Sequence, residues 1–498
     1  TDFRFDAEGP DVSAVSVLAG FGLPAESFQI HGQLVRLEGG IGIQGVEAVV
    51  GPAVAKVDGI LGDPPGYAGT DLQVAAQGPN LVSFSELAGV ALPALPFEIA
   101  GRLAPEGDSI TLENVSARLG PNSARVEGTV GAVAGFIGTD VHLSIEGPDL
   151  SWLEGPTGFS DLPRKPYRVE GGLAVERTGY RLDGINAIVG EVTAKVDGRV
   201  GPLPDLAGTN IQIVAEGPDF SIPASLAGAA GVPPDPFRIE GGLRMANGSF
   251  ELEGVQARVG GARATVSGRI AATSDLVGTE LTIDAAGPDA SDFGSLLRQT
   301  SLPSAPFALS GGVEIGATGY RLSSVVLELA GNRATIDGTV VPSETLSGTD
   351  LQLELTAPDL GDLGHLVSQT GLVDLPELPR EPFSIAGGVT IDNDGYSLKS
   401  VEGTLGAATA RVDGRLGFPP GFVGTDLAVH GDGPNASLFT AVTGVSVPVA
   451  PFRVNGRVER LDEGVRFHDL RVQLGEYRAQ ADGRLGELPK LIGTDFDM

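Results

Sequence analysis

The sequence predicts a mainly β protein: an elongated, curved antiparallel β-sheet trough of about seven repeats of about 70 residues, each with one short helix. Three markers sharing one register carry that prediction. A strand-like segment opening on Thr, usually Thr-Asp, and ending near Gly-Pro-Asp recurs at Thr1, Thr70, Thr139, Thr209, Thr279, Thr349, Thr425 and Thr494. The aromatic of Leu-Pro-x-x-Pro-Phe and its variants falls at Phe28, Phe97, Tyr167, Phe237, Phe307, Phe383 and Phe452. The glycine closing Ala-x-Val-Asp-Gly and its variants falls at Gly59, Gly128, Gly198, Gly268, Gly338, Gly414 and Gly483. One insertion near Leu372 to Leu378 stretches the same interval to 76 residues in all three series, where the others are 69 or 70. A shared period with a shared insertion marks repeats of one unit, and it overrides any division by length. The expected organisation is one continuous repeat domain, 1–498, with copies at approximately 1–69, 70–138, 139–208, 209–278, 279–348, 349–424 and 425–493.

Each copy reads in the same order. The Thr-Asp strand alternates cleanly: Leu351, Leu353 and Leu355 lie on one side, Gln352, Glu354 and Thr356 on the other. Gly-Pro-Asp turns the chain, and Asp149 or Asp289 stands where an N-cap accepts orphan N–H groups of a short helix. Apolar pairs such as Phe84 and Leu87 suit that helix, which is expected to stop at Gly89 or Gly228. The next strand is Phe-x-Ile-x-Gly-x-Leu. In the following one, Tyr180-Arg181-Leu182, the apolar parity shifts at Ile185, which suggests a bulge or a break between two strands. Ala194 to Gly198 forms the last strand before Thr209 restarts the cycle. Four or five strands per copy, joined by short links, favour antiparallel pairing.

With 498 residues and 41% hydrophobic content the chain is long and apolar enough to fold. Its formal net charge of −31 argues against nucleic acid and against a surface held to anionic lipid by charge. It has no cysteine, which is a pointer to an oxidising compartment. No apolar run approaches the roughly 18 to 20 residues of a spanning helix. The chain opens and closes inside a Thr-Asp strand, so the expectation is a fragment of a longer chain.

No catalytic constellation stands out, and the expectation is that the chain is not an enzyme and holds no cofactor or metal. The histidines His31, His142, His365, His430 and His468 share no repeat position and no ligand spacing, and read as exposed strand residues. Asp71, Asp140, Asp350 and Asp426 are single acids about 70 residues apart, unlike the clustered acids of calcium loops, and are expected to serve turn chemistry and edge protection. Trp152 reads as a packing residue of the short helix. Arg118, Arg125, Lys195 and Arg263 fall on the polar side of their strands.

The repeated Gly-Thr-Asp-Leu strand, Gly-Pro-Asp-Leu-Ser turn, Leu-Pro-x-x-Pro-Phe/Tyr-x-Ile-x-Gly-Gly-Leu strand and Ala-x-Val-Asp-Gly-Arg-Leu-Gly strand resemble the periplasmic repeats of the AsmA-like family, from Thr1 to Asp495. The resemblance implies a repeating β-groove of the bridge-like lipid transfer kind. It implies a periplasmic location in the cell envelope, an inner-membrane anchor in the full-length protein, and phospholipid transport toward the outer membrane. The chain itself contains neither the anchor nor an envelope-docking segment, so the inner and outer membranes would be reached through segments outside it.

The residues lead to the same place by physics. Stacking about 28 strands at about 4.8 Å gives a sheet on the order of 130 Å long with one apolar strip. The expected lipid-facing side chains, in the first three copies, are Phe28, Ile30, Leu34, Leu72, Val74, Phe97, Ile99, Leu103, Val141, Leu143, Ile145, Tyr167, Val169 and Leu173. In the later copies they are Ile211, Ile213, Phe237, Ile239, Leu243, Leu281, Ile283, Phe307, Leu309, Leu351, Leu353, Leu355, Phe383, Ile385, Leu427, Val429, Phe452 and Val454. The expected ligands are phospholipids or other acyl lipids, with no nucleic-acid partner. The alternative is a filled structural spacer or adhesin-like rod, its apolar side covered by its own helices.

Overall fold

A computed structural model describes residues 2–15, 24–63, 67–82, 85, 93–131, 135–154, 162–202, 204–226, 232–273, 275–297, 302–343, 345–369, 377–440, 446–486 and 494–497. Packing divides the chain into two units, Thr1–Ile222 with Arg238–Gly248, and Pro223–Phe237 with Ser249–Met498. Both are mainly β and antiparallel.

The first unit contains β1 (Asp2–Gly9), β2 (Phe28–Leu37), β3 (Gly40–Val50), β4 (Ala53–Gly62), β5 (Asp71–Gly78), β6 (Phe97–Glu106), β7 (Ser109–Leu119), β8 (Asn122–Val130), β9 (Asp140–Gly147), β10 (Tyr167–Glu176), β11 (Gly179–Val189), β12 (Val192–Val200) and β13 (Asn210–Gly217). It also takes β14 (Phe237–Ala246) from Arg238 onward. From β1 to β13 each strand pairs antiparallel with its sequence neighbours.

The second unit contains β15 (Ser249–Val259), β16 (Ala262–Ala271), β17 (Glu280–Gly287), β18 (Phe307–Ile315), β19 (Tyr320–Leu329), β20 (Asn332–Val340), β21 (Asp350–Ala357), β22 (Phe383–Ile391), β23 (Gly395–Leu405), β24 (Ala408–Gly417), β25 (Asp426–Gly433), β26 (Phe452–Arg460), β27 (Val465–Leu474), β28 (Tyr477–Leu485) and β29 (Asp495–Asp497). Its ladder likewise follows sequence order. Among the described residues no pairing closes either ladder on itself.

The parity shift seen in the sequence is a bulge inside one strand. β11 slips register against β12 between Leu182 and Ile185, and β3, β7, β15, β19, β23 and β27 slip at the equivalent place. A residue of positive φ sits in each slip, Gly184 (57°), Asn114 (50°) and Ser400 (47°) among them. The Asp of Val-Asp-Gly or Ile-Asp-Gly on the next strand captures the freed amide: Asp58 takes the N–H of Gly45, Asp197 that of Gly184, and Asp337 that of Ser324, each at 2.6 Å.

The recurring threonine is the joint between cycles. Thr209 Oγ1 accepts the N–H of Gly201 at 2.9 Å and donates to the carbonyl of Leu206 at 2.7 Å. Thr70, Thr139 and Thr425 make the same two bonds. Thr349, 2% exposed, has the smallest exposure of the polar side chains in this series. A buried amide needs a partner, and one hydroxyl serves both a donor and an acceptor here.

The helical pieces are short: Val12–Val15, Leu150–Leu153, Ser221–Leu226, Ser291–Leu297, Leu360–Gln369 and Ala436–Phe439. Asp149 caps one, accepting the Ser151 N–H at 2.9 Å, and Asp289 does the same for Ser291. The expectations placed on Phe84, Leu87, Gly89 and Gly228 lie outside the described residues.

Among the described residues none of these pieces exceeds 10 residues.

Candidate functional site

Period-2 alternation puts one apolar side chain on the same face at every second residue, and the pairing register aligns them across strands. From β4 to β7 one row reads Gly59, Leu72, Leu103, Leu112, and the next reads Val57, Val74, Gly101. A third reads Ala55, Ala76, Ile99, Ala117, and a fourth Gly78, Phe97, Leu119. The pattern holds at β9 and β10, where Val141 faces Leu173, Leu143 Gly171, Ile145 Val169 and Gly147 Tyr167. Nearer the start of the unit, Leu34 faces Ile43, Ile30 faces Ala48 and Phe28 faces Val50. Toward its end Ile211 faces Gly198 and Ile213 faces Val196, with Ile239 and Leu243 half-buried on β14.

The second unit repeats the rows. Leu281 faces Val313, Ile283 Gly311, Ala285 Leu309 and Gly287 Phe307. Leu351 faces Val389, Leu353 Gly387, Leu355 Ile385 and Ala357 Phe383. Leu427 faces Val458, Val429 Gly456, Gly431 Val454 and Gly433 Phe452.

Nearly all of these side chains are half-buried, while their strand neighbours Gln73, His142, Gln212, Thr282 and Gln352 are exposed. A sealed sandwich would bury such rows and a two-sided polar sheet would not contain them. Among the described residues each unit therefore carries an apolar face whose side chains are only half-buried.

Glycines keep the second row smooth. A Cβ on Gly101 would come within 2.6 Å of Val115 Cγ2, because the bulge swings that valine over the gap. The aromatic row is different. Tyr167 is 3% exposed and Phe97 8% in the first unit, and Phe237 4% in the second, so these three rings are packing residues. Tyr167 lies over Gly147, whose hypothetical Cβ would be 2.7 Å from the ring. The Trp152 indole N–H donates to the Tyr167 hydroxyl, which donates to Asn122 Oδ1 at 3.4 Å, and burial pushes the Tyr167 phenol up. Phe293 and Phe439 from helical turns meet Phe307 and Phe452 edge to face at 5.8 and 5.3 Å. Among the described residues the helical turns thus pack on the aromatic row.

Under the turn Ala436–Phe439 a cavity of about 390 Å³ opens between roof and sheet, lined by Ala410, Val429, Phe439, Val447, Phe452, Val454, Val472 and Leu474 among others.

The opposite face is charged. Arg102 on β6 bridges Asp71 on β5 and Glu113 on β7, and Arg457 pairs with Asp426. The guanidinium of Arg102 holds the Asp71 carboxyl below its usual range, and Arg457 does so for Asp426. Arg181 reaches Asp140 at 3.3 Å, and Asp350 accepts from Thr390 at 3.2 Å. The Thr-Asp acids are thus cross-strand partners. The turn chemistry expected of them belongs to the threonines and to the Val-Asp-Gly acids. Sequence reading missed both roles, although recurrence at fixed offsets was the available signal.

The histidines His142, His430 and His468 lie on this polar side, 3.9, 3.8 and 3.5 Å from Glu170, Asp432 and Glu459. Among the described residues no group of three potential ligands could hold a metal ion, and no helix is long and apolar enough to cross a membrane. No family model, curated protein or solved structure matches the chain, and the chemistry of the two faces stands on its own.

Proposed function

We propose that this protein carries acyl lipids, phospholipids above all, on the half-buried apolar faces of its sheets. One observation carries the proposal: rows of aliphatic side chains stay in register from strand to strand, yet remain half-exposed where a structural core would bury them. Shielding an acyl chain of about 15 methylenes from water is worth roughly 12 kcal/mol at about 0.8 kcal/mol each. A face whose contacts recur at every cycle lets such a chain shift along without returning to water. The acidic opposite face keeps the apolar surface in solution.

In this proposal the copies of about 70 residues are successive steps of a β-groove, as in the AsmA-like family. The place of action is the periplasm, between an inner membrane that anchors the full-length protein and an outer membrane that receives lipid. The test is what travels with the purified protein. Solvent extraction followed by mass spectrometry is expected to find phospholipid, and an added fluorescent fatty acid is expected to compete for its place. Protein that is free of lipid and dark to the probe is a spacer, and the proposal fails.

A further inference from the structure

The loops that join the fourth strand of one cycle to the first strand of the next repeat an unusual feature. Three residues before each joint threonine stand Tyr67, Phe136 and Leu206 in the first unit, and Leu276, Leu346 and Phe422 in the second. All six have positive φ, between 51° and 57°. That region is costly for any residue with a Cβ and is ordinarily given to glycine or asparagine. The threonine fixes it, since Thr70, Thr139, Thr209 and Thr425 donate to the carbonyl of this very residue.

In five of the six the strain is not repaid by burial, Leu206 being half-buried. Phe136 is 52% exposed, Tyr67 and Leu276 are 44%, and Leu346 and Phe422 are 43%. The loops stand at the strand ends away from the helical turns, where the apolar face runs out to half-exposed Tyr180 and Tyr320. Tyr396 on that border meets Phe418 of a loop edge to face at 5.1 Å. Each unit thus has one roofed rim and one rim set with exposed apolar tips, successive tips lying about 19 Å apart at four strands per step.

Charge selects what such a rim meets. The segments 62–70, 131–139, 201–209, 271–279, 341–349 and 417–425 contain no Lys or Arg, so they offer anionic lipid nothing to bind. A second copy would bring its own net charge of −31 against this one. Resting on the lipid-carrying reading, we propose that the loop tips form a rim that seats on a bilayer of neutral, zwitterionic lipid and opens the apolar face to it.

The natural absence of cysteine allows a clean test. Phe136→Cys and Leu346→Cys, labelled with an environment-sensitive dye, are mixed with phosphatidylcholine vesicles. Gln73→Cys on the polar face is the control. The tips are expected to brighten and shift to the blue while the control stays unchanged. Silence at both tips, a response only to vesicles rich in phosphatidylserine, or a change that tracks protein concentration without vesicles overturns the rim. Combining Tyr67→Gly, Phe136→Gly, Leu276→Gly and Leu346→Gly is expected to leave the thermal midpoint unchanged or higher and to cut vesicle binding at least about tenfold. A fall in midpoint with vesicle binding intact makes the tips structural and also overturns it. The two proposals separate by extraction: silent tips on protein that carries lipid sink the rim alone, and responsive tips on lipid-free protein sink the groove.

Discussion

The carboxylate of Asp413 accepts the backbone N–H of Ser400 at 2.6 Å across the β23–β24 bulge, where Ser400 has a φ of 47°. The bond holds the Asp413 carboxyl below its ordinary range. Without it the freed amide has no ladder partner and the bulge no anchor. Asp413→Ala is therefore expected to lower the thermal midpoint of the second unit. Ser400→Gly removes the left-handed strain while keeping the bond and is expected to stabilise by about 1 kcal/mol. Gly45, Gly184 and Gly254 already occupy that place in other cycles. Calorimetry of both variants checks the pair, and a neutral Asp413→Ala removes the anchor role.

Thr209 is a sharper case because it is 4% exposed. Replacing it by valine keeps the shape and deletes both hydroxyl bonds, which orphans the Gly201 amide. A buried unsatisfied donor costs about 1–3 kcal/mol. Thr209→Val is expected to lose that much in urea unfolding of the first unit, and Thr209→Ser to retain most of it. Equal losses would mean that the methyl group matters and the hydroxyl does not.

Leu353 faces Ile336 and Gly387 on the apolar side, and Gln352 faces Asp337 and Gly388 on the other. Leu353→Asp is expected to leave the sheet folded and reduce lipid transfer at least about tenfold, since roughly 1.4 kcal/mol of added barrier suffices for that. Gln352→Ala is expected to change transfer little. The readout is movement of fluorescent lipid between vesicles, with circular dichroism confirming the fold. Undiminished transfer by Leu353→Asp removes the main support for the groove, and a large loss in Gln352→Ala would place the lipid on the polar face.

Strand positions and the side each residue takes were legible because alternation such as Leu351 to Thr356 can only be a strand with two faces. Depth was not. Alternation places Tyr167 beside Val169 on one side of β10, but only the packing of Trp152 and Asn122 buries the ring and leaves Val169 half-exposed. Thr209 was visible as a marker and invisible as a joint, because its partner is an amide eight residues back in the folded loop. Leu276 looked like one more apolar loop residue, since a positive φ leaves no trace in composition.

Acid should undo the fold within a narrow window. Asp71 and Asp426 are held down by their arginines, Asp413 by the Ser400 amide, Asp149 by Ser151 and Asp289 by Ser304 and Ser291. A carboxyl whose folded pKa lies below its unfolded value contributes stability that is complete above the unfolded value, about 3.9 for Asp, and disappears as pH falls through the folded one. The unfolding midpoint is therefore expected to hold from pH 7 to about 4 and to drop below that. Salt separates the contributions. The Asp71 and Asp426 ion pairs are exposed and weaken in 1 M salt at about a 3 Å Debye length, whereas the amide held by Asp413 stays bonded. Urea midpoints across pH in low and high salt check this, and in Asp413→Ala part of the acid drop should vanish at both salt levels. A midpoint that already falls between pH 7 and 5 would assign the acid sensitivity to groups other than these aspartates.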